Sequence, residues 1–426
     1  MAAQDELEYK VLHCGKLYTG LSPELYDQQQ ILIKGSIIKE LGPQVAAPPD
    51  SEILDLSHLT VTPGMIDAHT HPAFVDPADL YDDTIKNSDG WRALSILRTA
   101  VRSLEGGFTT IRAVGWFQED HVLDVKRFIA AGHLPGARIV AAAHALGTTG
   151  SHGDFSQSFR GFPELADYLA ERNPGTGDGP DFFVKAVRRE VKLGSDFLKL
   201  MATGGFASPH DGPEDVQLSD AELGAIFETA HALSIPVTAH AYTAELVSRL
   251  VDYGIAGIEH GSLIDAQTAE KMEVKGVYLV PTFNVYDKIL QANEDELDAL
   301  EPLFRQKLLQ YRERLRAGRE VICQSGIKLG YGTDMVAIHH NYENGWEYAS
   351  WLTGGLDPYR ALEAATKNNA ELCGISEVTG TIEPGKLADI AGWPRDLLRD
   401  SNALRDCAFV MKEGTVYPAR SHMAES

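Results

Sequence analysis

Between Pro63 and about Gly374, short apolar runs alternate with segments of helical period, and this alternation constrains the fold of the 426-residue chain most tightly. The runs end at MIDAHTH (65–71), TTIRAVG (109–115), ARIVAAAHALG (137–147), DFLKLMATGG (196–205), PVTAHAYT (236–243), GIEHGS (257–262), YLVPTF (278–283) and LGYGTDM (329–335). Helical segments lie between them. SDAELGAIFETAHALS (219–234) opens on a Ser-x-x-Glu capping box, and AELVSRLVDYG (244–254) closes on a glycine suited to a left-handed C′ position. Strand then helix, repeated, is the pattern of βα units feeding a parallel sheet. Eight such units over roughly 300 residues predict an α/β fold, a closed (β/α)8 TIM barrel. The rival is an open doubly wound sheet, but no G-x-G-x-x-G follows the first strand.

Both flanks read differently. QQILIKGSIIKELG near the start, and GTIEPGKLADIAGW and CAFVMKEGTVY near the end, are short strands bounded by Gly and Pro. Within the central region, residues 284–320 are highly charged and helical in period, and read as a solvated excursion at the rim.

Sixty-one acidic residues against 38 basic ones give a formal charge of −23. Such a surface repels phosphate backbones and anionic lipid, so neither nucleic acid nor membrane is an expected partner. No run of apolar residues is long enough to span a bilayer. Cys14, Cys323, Cys373 and Cys407 are scattered without C-x-x-C spacing, as core thiols of a reducing compartment would be. The opening MAAQDELEYK is polar and acidic, with no apolar segment behind a basic start, so a cytoplasmic location is expected.

Ionisable residues recur at the strand ends: His69 and His71, Lys199, His240, His260 and Asp334. On a strand, residues i and i+2 share a face, so His69 and His71 aim into one space. A lone histidine there is ordinarily a hydrogen-bonding group, and a lone lysine a snorkelling or ion-paired one. Six such groups in a metal-ligand palette are hard to assign to chance, because the strand ends of a barrel meet at one face, where catalytic groups collect.

The motifs PGMIDAHTH, GFTTIRAVG, GSHGD, LKLMATGG, AHAYT, IEHGS and YGTDM, with the tail ALEAATKNNAELCGI and GTIEPGKLADI, carry a resemblance that runs nearly end to end. The chain resembles the amidohydrolase superfamily, in particular its prolidase-like Xaa-Pro and Xaa-Arg dipeptidases and ochratoxin-hydrolysing members. The resemblance implies a barrel over 64–374 and a small discontinuous β-sandwich built from 1–63 and 375–426. It implies two divalent metal ions, usually Zn2+, with His69, His71 and Asp334 on one and His240 and His260 on the other. Lys199 would be carboxylated by CO2 and bridge them, since an ammonium cannot ligate a cation and a carbamate can. Water between two cations ionises near neutral pH, giving the nucleophile that amide hydrolysis needs. Asp334 would then be the proton shuttle to the leaving amine; the alternative is a ligand only.

Two departures from the family pattern matter. Tyr242 stands where many relatives carry a second histidine; its phenol would donate to a developing oxyanion, or pack at the rim. Arg112 is followed by Ala113 where relatives carry Asp, which leaves Arg112 as a candidate for binding a substrate anion. His152 in GSHGD matches a position near the substrate and would bind a carbonyl or carboxylate, or stabilise its loop. The implied activity is hydrolysis of a small-molecule amide or dipeptide that releases a free amino acid, ochratoxin-type aryl amides included. Lactam or imidazolone ring hydrolysis and carbamate or urea hydrolysis are alternatives. A non-catalytic scaffold is the reading of another class, disfavoured because all six ligands are retained. Relatives also imply a homo-oligomer.

Overall fold

The computed structural model describes residues 8–73, 87–115, 120–154, 156, 161–206, 208, 211–291, 302–334 and 343–420. Four strands come first: β1 (Tyr9–Leu17), β2 (Tyr26–Lys34), β3 (Ile37–Gly42) and β4 (Glu52–Pro63). The central region follows with β5 (Met65–Thr70), β6 (Phe108–Ala113), β7 (Arg138–Ala141), β8 (Ala145–Leu146) and β9 (Leu198–Met201). It continues with β10 (Val237–Thr243), β11 (Gly257–Leu263), β12 (Tyr278–Val280) and β13 (Lys328–Leu329). The chain ends with β14 (Ile390–Trp393), β15 (Phe409–Lys412) and β16 (Thr415–Tyr417).

Every ladder of the central region is parallel, in two sheets ordered β13-β12-β11-β10-β9-β8 and β5-β6-β7. The ladders do not run into one closed ring. Single backbone hydrogen bonds link the sheets: Ala68 N to Tyr331 O (2.8 Å) and Asp334 N to His69 O (2.9 Å) at one seam, Asp196 N to Ala141 O (2.8 Å) at the other. β5, β6, β9 and β11 are buried along their whole length, as strands covered on both faces must be.

ARIVAAAHALG, expected as one strand, is two. Between β7 and β8 the N–H of Ala143 donates to Ser195 Oγ (2.9 Å) and that of His144 to Glu190 Oε2 (3.1 Å), so side chains take the place of a neighbouring strand. The helix Asp220–Ala232 carries the expected capping box, with Ser219 N donating to Glu222 Oε2 at 2.9 Å. The helix Ala244–Asp252 is followed by Gly254 at φ 84°. Among the described residues no helix is long and apolar enough to cross a membrane.

Strands from both ends of the chain meet in one seven-stranded sheet, ordered β16-β15-β14-β4-β1-β2-β3. One of its faces has a core of its own, including Leu12, Leu17, Ile31, Val61, Ile390 and Met411. Trp393 and Val410 join the main core, which runs through Leu200, Ala239, Ile258 and Leu279 of the parallel sheet. Buried Asp389 pins the two regions together: it accepts from Arg138 (2.7 Å), and its own carbonyl accepts from Gly64 N (2.8 Å), next to β5.

The charged stretch 284–320 falls on the helices Phe283–Gln291 and Pro302–Gln324; residues 292–301 lie outside the described residues. It is not only a solvated face. Leu308, Tyr311 and Leu315 lie one helical turn apart and are buried against Phe206, Tyr242 and Tyr286.

Candidate metal centre and active site

His69 and His71 leave β5 on the same side. Their Nε2 atoms are each 3.5 Å from Asp334 Oδ1, and the candidate ligand atoms of these three residues all lie within 4.8 Å of one another. The His260 ring, on β11, is 5.1 Å from that of His69 and 4.7 Å from that of His240 on β10. Lys199 is buried on β9, in register between Ala145 of β8 and Thr238 of β10. It sits near enough that its charge acts on His69, His240, His260 and Asp334. The structure thus gathers all six strand-end residues.

Backbone conformation and hydrogen bonds aim them. His260 (φ 70°), Thr282 (φ 48°) and Asp334 (φ 47°) adopt left-handed conformations, which cost energy for residues with a Cβ and concentrate at working sites. Buried Asp67 accepts from His69 N (3.1 Å), Thr333 Oγ1 (2.7 Å) and Asn344 Nδ2 (2.7 Å), tying the end of β5 to the segment that carries Asp334. His69 Nδ1 is 2.8 Å from Glu259 Oε2, His240 Nε2 is 3.1 Å from Gly204 O, and His260 Nδ1 is 2.8 Å from Thr282 Oγ1. One nitrogen of each ring is therefore committed and the other remains for a ligand, the arrangement that metal-binding histidines use.

Burial first, and then the Lys199 charge and neighbouring imidazoles, hold His69, His240 and His260 well below the usual histidine range, so all three rings are neutral. Burial raises Asp334 to about 6, against the pull of His71 and Lys199. Neutral imidazoles and a carboxylate around one buried space fit a divalent cation of nitrogen and oxygen preference.

The mouth is aromatic. Tyr242 stacks on His260 (5.2 Å) and meets the edge of Phe206 (5.1 Å), and its hydroxyl is 2.8 Å from that of Tyr286. Burial raises the Tyr242 pKa far above its usual value, so the phenol keeps its proton. His152 stacks on His240 at 4.5 Å, with Nδ1 2.8 Å from Ser208 Oγ. Burial lowers it to about 4, more than the nearby Asp211 raises it, and the ring is neutral. Lys307 reaches across from the helix Pro302–Gln324 to the carbonyls of Gly205 (3.0 Å), Ser208 and Asp211, and holds this loop.

Arg112 is not at the mouth. It is 1% exposed on β6, paired with Glu259 and 3.2 Å from Thr238 Oγ1, and its guanidinium lies over the ring of Phe197 at 4.5 Å. The expected anion-binding role is replaced by a buried ion pair behind His69. Glu259, Asp67, Tyr286 and Lys307 went unnoticed in the sequence. Only Glu259 carried a signal, its place beside His260 in GIEHGS.

Comparison with known proteins agrees with this geometry. Ochratoxinase of Aspergillus niger is 26% identical over 433 residues, spanning 95% of this chain and 85% of that protein. Imidazolonepropionase of Acinetobacter baumannii is 23% identical over 384 residues, 85% of this chain and 86% of that protein. The crystal structure of a Xaa-Pro dipeptidase with methionine bound in its active site superposes with a TM-score of 0.83 at 27% identity, covering 96% of this chain and 100% of that one. The sequence profile of the amidohydrolase family matches residues 60–418, from the end of β4 through the whole strand-end cluster to the terminal sheet. With its buried histidines, aspartate and lysine gathered at the ends of parallel strands, the chain belongs to the amidohydrolase family and is a hydrolase of amide carbon–nitrogen bonds.

Proposed function

We propose that this enzyme cleaves an amide whose amine side is an amino acid with a free carboxylate: a dipeptide or an N-acyl amino acid, ochratoxin-type aryl amides included. The observation that carries this reading is the strand-end cluster opening against an aromatic wall of Phe206, Tyr242, Tyr286 and Tyr311, which suits an apolar or aryl acyl group. Likeness to an ochratoxinase and a Xaa-Pro dipeptidase over nearly the whole chain supports it.

In this reading the two parallel sheets and their backbone links form one (β/α)8 barrel over 64–374, with 1–63 and 375–426 as a small second domain. His69, His71 and Asp334 would hold one divalent ion, most simply zinc, and His240 and His260 a second, with Lys199, as a carbamate, available to both. Bound there, the ions supply Lewis acidity toward the scissile carbonyl and a water acidic enough to be used near neutral pH.

The chain's own residues do the rest. Asp334 takes a proton from the attacking water and returns it to the leaving amine. Tyr242, kept as a neutral phenol by burial, donates to the carbonyl oxygen as charge develops there. His152, whose Nδ1–H donates to Ser208 Oγ while that hydroxyl donates to Asp211, binds the substrate's carbonyl or carboxylate once its Nε2 takes up a proton.

Likeness to an imidazolonepropionase favours a second reading, ring-amide hydrolysis. One screen separates the two: zinc-loaded protein against dipeptides, N-acyl amino acids and lactams, with released amine and ring opening as readouts. The proposal expects open-chain substrates with a free carboxylate to be fastest. Faster turnover of uncharged lactams overturns it.

A further inference from the structure

Glu259 is completely buried and both its oxygens are engaged, Oε2 by His69 Nδ1 at 2.8 Å and Oε1 by Arg112 Nη2. Neighbouring side chains on a regular strand point to opposite faces, yet Glu259 and His260 both reach the His69 ring. The pleat of β11 is interrupted where His260 turns left-handed, at φ 70°. Backbone strain is thus spent on placing a carboxylate behind one particular histidine.

Fold stability is a poor account of this arrangement. Taking two charges out of water is expensive, and a buried pair commonly gains no more than an apolar replacement would. Among the described residues, moreover, Arg112 Nε and Nη1 are buried without a hydrogen-bond partner, which adds to the cost. What the pair does accomplish is local. A carboxylate accepting from Nδ1–H fixes the imidazole tautomer and ring orientation, and leaves the Nε2 lone pair facing Asp334 and His71 Nε2.

We propose that Arg112 and Glu259 are positioning residues for His69, which together set its tautomer and basicity toward the cation shared with His71 and Asp334. The inference rests on the metal-centre reading above and adds an asymmetry to it. Among the described residues, the hydrogen-bond partner of His240 is a backbone carbonyl and that of His260 a hydroxyl, both uncharged. The charged support belongs to one half of the centre. Loss of the carboxylate therefore weakens one cation and spares the other.

The test measures zinc affinity in the full-length protein by competition with a chromophoric chelator, and metal content per chain, for Glu259→Gln, Arg112→Met, Arg112→Lys and His69→Ala. Circular dichroism and thermal unfolding report on the fold. Glu259→Gln is expected to weaken one class of zinc site by about 10–100-fold, the usual effect of removing such a partner, and to leave the other class unchanged. Arg112→Met is expected to follow it, and Arg112→Lys, which keeps a cationic donor, to recover most of the loss. If His69→Ala still binds both cations at wild-type affinity, the metal-centre reading itself is wrong. If His69→Ala loses one cation while Glu259→Gln binds both as wild type does, the positioning role is overturned and the centre stands. Should Glu259→Gln fail to fold, the two arginine variants decide: equal zinc affinities in Met and Lys overturn the proposal.

Discussion

At the His69 side of the site the contacts join strand ends: β5 to β11 through Glu259, β5 to the Asp334 segment through Asp67, β11 to the end of β12 through Thr282. At the His152 side the contacts run between a loop and a helix, with Ser208, Asp211 and Gly205 held by Lys307. The first region is fixed by the sheets that make the fold. The second is fixed by segments that can change without disturbing those sheets. In the proposed reading, reaction chemistry sits on the former and substrate choice on the latter, a division that lets one fold serve many substrates.

The largest effect that would break this division is catalysis without the strand-end cluster. Prolonged chelation is expected to remove activity to background and zinc to restore it; a fully active metal-free protein would show that the mouth suffices. Next, Asp334→Asn should depress kcat by about 10²–10⁴-fold, the scale of a positioned acid–base group, with unchanged metal content by elemental analysis. Normal turnover with the metals retained removes the shuttle. Blocking the substrate's free carboxylate as an amide should lower kcat/KM by about 10-fold or more, since a charge-assisted hydrogen bond contributes about 1.5–3 kcal/mol. Equal rates on both forms would leave the mouth without its assigned role.

Tyr286→Phe removes the partner of the Tyr242 hydroxyl and should lower kcat by about 5-fold, one net hydrogen bond, with KM little changed. A pure KM effect would make the pair a binding contact. The smallest effect concerns Glu347, which accepts from Phe283 N (2.8 Å) and Asn284 N (2.7 Å) at the start of the mouth helix and is raised by burial from 4.5 to about 8. The folded state keeps a proton that the unfolded chain loses first, so this group's contribution to stability falls between pH 4.5 and about 8 and levels off above. Glu347→Gln should flatten that part of the denaturation-versus-pH curve relative to wild type.

The same division decided what could be read from the sequence. His69, His71, Lys199, His240 and His260 were legible because strand period and strand-end position are local, and a barrel converts strand ends into one face. Glu259 was hidden by that very rule, since alternation directs it away from His260 and only the reversed φ at His260 brings both to one side. Arg112 was placed on the right strand but given the wrong neighbour, because its partner lies 147 residues downstream. Tyr286 and Lys307 meet Tyr242 and the Gly205–Asp211 loop only through tertiary packing, 44 and about 100 residues away, and no pattern of spacing announces such pairs.

The terminal sheet gives the enzyme an order of assembly. β4 runs straight into β5, which carries His69, and one of its edges pairs with β14, more than three hundred residues later in synthesis. Until that late strand arrives, a nascent chain presents β4 with an open edge, and Gly64 lacks the Asp389 carbonyl that receives its N–H. Long-range pairings of this kind form slowly and expose sticky edges while they wait. A segment made more than three hundred residues later therefore completes the footing of the strand that carries His69, and a translation product that stops short of residue 389 would leave that footing unfinished.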